Sequence, residues 1–117
     1  MIRLTIYGQC YSMKNSLSWG NGRPRKHPKA VQFERDFAMH VPAGAKQGIG
    51  SRTQPLETWI VVYYPSYRQD LDCAIVYDLL AKCGVISNDR HIRRKHETAQ
   101  LDPENPRIYI TVAELRS

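Results

Sequence analysis

The 117-residue chain has no run of about 18 apolar residues, so no segment reads as a transmembrane helix. Its opening, Met1-Ile2-Arg3-Leu4-Thr5-Ile6-Tyr7, lacks the long apolar stretch and small-residue cleavage site of a signal peptide, and reads as a strand. Cysteine is scarce: Cys10, Cys73 and Cys83 are odd in number and form no CxxC pair. That pattern points to buried, reduced thiols in a cytosolic setting. A zinc site built from Cys83, His91 and His96 has no recognised spacing. Internal repeats and a dividing linker are absent too, and the length fits one domain. Negative charge is in the minority: 11 Asp and Glu stand against 17 Lys and Arg, a net charge of +6.

The basic residues fall into two groups. One is Lys14, Arg23, Arg25, Lys26 and Lys29; the other is Arg90, Arg93, Arg94 and Lys95. Either group alone reads as a solvated face. Together, flanking loops beside acidic residues, they point to contact with nucleic acid. Within a strand, Arg93 and Lys95 share one side and Arg94 takes the other.

Hydrophobic periodicity predicts the elements. Ile2 to Tyr7 alternates as a first strand. Gln9 to Pro28, with Gly20, Gly22, Pro24 and Pro28, reads as a long loop or a distorted hairpin. Lys29 to His40 is helical, with Val31, Phe33 and Phe37 on its apolar side, and Pro42 stops it. Leu56 to Tyr64 is a strand rich in β-branched and aromatic residues. Leu71 to Cys83 is a second helix with Gly84 as its C-terminal cap. Arg90 to Thr98 and Arg107 to Ala113 are strands; the last places Ile108, Ile110 and Val112 on one face. The order is β-α-β-α-β-β, an α+β domain with a mixed sheet and two main helices packed on it.

Asp70-Leu71-Asp72 is the most informative stretch. Two carboxylates stand one residue apart between a strand and a helix, and Asp89 follows the helix in the loop Ser87-Asn88-Asp89. Spacing alone leaves two readings open. Asp70 caps the second helix with Asp72 in its first turn, or the carboxylates hold Mg²⁺, which relieves their mutual repulsion. Asp89 either completes that site or is a turn acid. Asp78 is a solvent-facing helix residue or an outer partner. Trp19 and Tyr11 in the long loop are placed to stack on an unpaired base.

In order, these pieces carry a resemblance. Asp70-Leu71-Asp72, Tyr77-Asp78-Leu79-Leu80-Ala81-Lys82-Cys83-Gly84-Val85-Ile86, Asn88-Asp89 and Pro106-Arg107-Ile108-Tyr109-Ile110 resemble the RusA family of Holliday-junction resolvases. Ser12-Met13-Lys14-Asn15-Ser16 and Gly22-Arg23 look like that family's opening. The resemblance implies a RusA-like endonuclease domain over residues 1–117 and a homodimer in a bacterial or phage-infected cell. It also implies that the dimer binds four-way DNA junctions and cuts opposed strands with Mg²⁺ or Mn²⁺. The family's three metal-binding, catalytic aspartates would fall on Asp70, Asp72 and Asp89. DNA contacts would come from Lys14, Arg23, Arg25, Lys26, Lys29, Arg93 and Lys95.

The chain departs from the family at three points. Cys73 stands where Asn usually follows the second Asp; Ala74, Ile75 and Val76 fill the place of a catalytic lysine; and Asp72 to Asp78 is about two residues short. A substitute cation is then expected from Lys14, Lys95 or the other subunit. The rival reading is a junction-binding protein that kept the fold and lost turnover. A small RNA-binding module is a third, weakened by the lack of an RRM-like aromatic signature.

Overall fold

The alternating N-terminal segment forms strand β1 (Ile2–Tyr7), burying Ile2, Leu4 and Ile6. The computed structural model describes residues 1–12, 17–20 and 23–116, with only the backbone of 17–20 and 23–26. In the Gly- and Pro-rich segment that follows, the hairpin alternative is realised: β2 (Leu17–Gly20) pairs antiparallel with β3 (Arg23–Lys26) as a separate two-stranded sheet. Lys14 lies outside the described residues, as do the side chains of Arg23, Arg25, Lys26 and Trp19.

Helix α1 (Pro28–His40) starts one residue earlier than its apolar pattern suggests, because Pro suits the first helical turn and the His27 Nδ1 accepts from the Lys29 N–H at 3.1 Å. It buries Ala30, Phe33 and Phe37. Strand β4 (Leu56–Tyr64) has the bounds its composition predicts. Helix α2 (Ala74–Lys82) is followed by a 3₁₀ turn (Asp89–His91), then β5 (Ile92–Leu101) and β6 (Arg107–Glu114). Gly84, at φ 79°, ends α2 with paired bonds from the Gly84 N–H to the Ala81 carbonyl and from the Val85 N–H to the Leu80 carbonyl.

The main sheet has the order β1-β6-β4-β5, and only β4 and β5 run parallel. One face carries the core: Leu4 and Ile6 of β1, Ile108, Ile110 and Val112 of β6, and Leu56, Ile60 and Val62 of β4 meet Phe37 of α1 and Ile75, Val76 and Leu80 of α2 in a single cluster. Trp59 and Tyr109 belong to the alternating set on the opposite face and are partly exposed. The α+β, mixed-sheet, two-helix arrangement read from the sequence is the arrangement observed. Among the described residues, no helix is long and apolar enough to cross a membrane.

Candidate metal cleft and basic surfaces

β4 ends at Tyr64, a bulky residue 5% exposed, and its phenol organises the acidic stretch beyond it. The Tyr64 hydroxyl donates to the Asp70 carbonyl at 3.2 Å and accepts from the Asp72 N–H at 3.3 Å. A phenol is protonated at neutral pH in any case, and burial pushes this one up further, to about 12. The backbone from Asp70 to Asp72 is thereby held at the sheet's end, in front of α2.

The helix start differs from the sequence expectation. α2 begins at Ala74 rather than Leu71, Cys73 is the flanking residue, and no acid lies in the first turn. Asp70 does not cap it. Asp72, one residue before the flanking Cys73, turns the chain into the helix: its Oδ1 accepts from the Ala74 N–H at 3.1 Å, while its Oδ2 accepts from the Ser12 hydroxyl at 2.8 Å. The physical reason is the Tyr64 clamp, which holds residues 70–72 outside the helix. Asp70 stays exposed, and among the described residues its carboxylate accepts no hydrogen bond.

Asp70 and Asp72 line one open cleft of about 710 Å³ with Ser12, Tyr11, Tyr64, Arg68 and Gln69. Arg68 is the cation that sequence reasoning missed. It stands two residues before Asp70 in a turn, and its signal was its adjacency to the acidic pair rather than membership of either basic group. Behind the cleft, burial pushes the Cys10 thiol up to about 12 and raises the Cys73 thiol further. Both are buried neutral thiols, as expected from their scarcity. Tyr77 of α2 donates to Glu97 Oε2 at 2.7 Å and lies under Lys95, whose Nζ is 4.2 Å from the ring centroid.

Asp89 is not part of this cleft. Parallel pairing of β4 with β5 forces the crossover helix to return the chain to the opposite end of the sheet. Asp72 precedes the nine-residue α2 and Asp89 follows it, and such a helix spans about 13 Å. Among the described residues, no three His, Cys, Asp or Glu side chains converge as metal ligands. Of the three expected aspartates, Asp70 and Asp72 line this cleft together and Asp89 does not. Cys83, His91 and His96 do not converge either, and His96 is instead held by Glu57 at 2.7 Å and stacked on Trp59 at 5.2 Å.

The donor chemistry of the pair suits a hard divalent cation. Asp70 has a fully available carboxylate, and each Asp72 oxygen has spent one acceptor site on a neutral donor. Mg²⁺ commonly takes only one or two carboxylates and keeps waters for the rest.

The basic residues separate. Lys29 is exposed on the first turn of α1. Lys95 sits over Tyr77 on the helix-covered side. Arg93 instead lines a second cleft with Arg52, Arg90 and His91. The alternation that puts Arg93 and Lys95 together fails because the strand is irregular there: Ile92 pairs with Leu56, yet the next pair is Arg94 with Glu57. Arg94 lies 3.8 Å from Glu57. Tyr11 stacks on His27 at 5.8 Å, so its ring already has a neighbour.

Compared with known proteins, the chain matches no protein-family model and no curated protein.

Proposed function

We propose that this chain is a metal-dependent endonuclease acting on branched DNA, with Asp70 and Asp72 as its metal-holding residues. The observation that carries the reading is the cleft at the end of β4, which Asp70, Asp72 and Arg68 line together in a chain of net charge +6. Mg²⁺ bound there would supply Lewis-acid activation of a phosphodiester toward hydrolysis. The chain's own groups do the rest. Tyr64 fixes the backbone carrying both acids, and Ser12 orients the Asp72 carboxylate. Arg68 neutralises a phosphate brought to the cleft, the role left open by Ala74, Ile75 and Val76 in place of a lysine. Four-way junctions as the substrate, and Asp89 as a further catalytic residue, rest on the RusA resemblance. Asp89 follows α2 and does not line this cleft, so on this reading its part in the reaction comes from a second subunit.

A second reading is favoured by the same geometry. A cleft lined by two of the three aspartates, with both oxygens of Asp72 already bonded within the chain, suits a junction-binding protein without turnover. The variant Asp70→Asn separates the two. For an enzyme, it abolishes cutting while junction binding persists or tightens, since one negative charge fewer faces the phosphates. Cutting undiminished in that variant removes Asp70 from the chemistry, and binding by the wild type with no cutting in Mg²⁺ or Mn²⁺ establishes the second reading.

A further inference from the structure

At the other end of α2, the structure builds a cleft with no acidic lining. Ser51, Arg52, Pro55, Arg90, His91 and Arg93 enclose about 690 Å³. Arg52, Arg90 and Arg93 are exposed, and among the described residues none of them is paired with a carboxylate. Asp89 lies in the same 3₁₀ turn but does not line the cleft.

Three features fix the backbone that carries these arginines. First, the loop bearing Arg52 is fastened to the loop after α2. The Ser87 hydroxyl donates to the Gly50 carbonyl at 2.6 Å, the Ser87 N–H donates to the Ile49 carbonyl at 2.8 Å, and Ile49 bridges Ile86. Second, Gly50 at φ +98° lets the two segments meet. A Cβ there would lie 2.7 Å from Leu56 Cδ1 and 3.4 Å from His91 Cβ. Third, the irregular register at the start of β5 leaves Arg93 as the unpaired residue. An extra residue of this kind re-aims a side chain out of the strand's alternation. Asn88 fixes the turn itself, its Oδ1 accepting from the Arg90 N–H at 3.0 Å.

We propose that this arginine cleft is a phosphate-binding clamp for a nucleic-acid backbone, separate from the acidic cleft. Guanidinium groups present planar forked donors that match phosphate oxygens. Three of them from two fastened loops, in a chain of net charge +6, offer several such forks to the phosphates of one strand. The inference rests on the nucleic-acid part of the proposed function and is independent of catalysis.

The test measures binding of a labelled four-way junction and a labelled duplex by anisotropy across a salt series, in EDTA so that nothing is cut. Arg52→Gln/Arg90→Gln/Arg93→Gln is compared with the wild type and with Arg52→Lys/Arg90→Lys/Arg93→Lys. Each lost phosphate contact removes about 0.9 from the slope of log K against log salt. The glutamine variant is expected to lose about 2–3 in slope and at least about tenfold in affinity, and the lysine variant to recover most of the slope. Circular dichroism on each variant checks that the fold is kept. Slope and affinity unchanged in the glutamine variant overturn the proposal. So does calorimetry in which pyrophosphate binds the wild type and not the glutamine variant while DNA binding is equal in both. That result assigns the cleft to a small phosphate. Arginine-dependent binding with no cleavage in Mg²⁺ leaves the clamp standing and sinks only the nuclease.

Discussion

Single residues set the chemistry at both ends of α2. Gly50 holds the arginine loop at a distance and a φ that no side chain suits. Gly50→Ala is expected to lower stability by about 1–3 kcal/mol, as overpacking against the buried Leu56 adds to backbone strain. Urea unfolding checks this, and an unchanged midpoint refutes the tight approach. The buried thiols and phenols set a pH limit. Burial raises Cys10 from 9.0 to about 12, and Cys73, Tyr64 and Tyr77 move in the same direction. Groups raised on folding stabilise fully below their unfolded values and lose that contribution as pH rises through the folded values. Stability is therefore expected to fall from about pH 9 upward. Cys10→Ala should flatten the fall, and a pH-independent unfolding free energy across that range would contradict the burial argument.

Among the elements, the β4-α2-β5 crossover decides what the acids can do. Its parts were legible because each has a strong local pattern: the β-branched run of β4, the apolar α2 sequence and the Gly84 stop. The start of α2 was not legible. The contacts that hold residues 70–72 outside the helix come from elsewhere in the chain: the Tyr64 hydroxyl captures the Asp70 carbonyl and the Asp72 N–H, and Ser12 captures the Asp72 carboxylate. The separation of Asp89 from Asp70 was equally hidden, since one-dimensional spacing cannot reveal that β5 pairs parallel with β4. The Arg93 irregularity also lies in cross-strand pairing rather than in composition. Tyr64→Phe isolates the clamp. Loss of its two hydrogen bonds should cost about 1–2 kcal/mol and reduce cleavage more than junction binding. Full cleavage with lowered stability would mean that Tyr64 supports the fold and does not position the acids.

For the whole molecule, two clefts of opposite character lie at opposite ends of one helix: acids with Arg68 at its start, three arginines beyond its end. Paired cutting of opposed strands by so small a domain needs two copies, because each chain brings one acidic pair. The RusA resemblance implies a homodimer, and a two-fold pair suits a two-fold junction. Sedimentation at micromolar protein is expected to give about twice the chain mass of 13.5 kDa. The most direct test of the account is incubation of a strand-labelled four-way junction with the wild-type protein, with and without Mg²⁺, followed by mapping of the cuts on each strand. The account predicts Mg²⁺-dependent cuts at symmetry-related positions on two opposed strands. Firm junction binding with every strand intact in Mg²⁺ and in Mn²⁺ would contradict it.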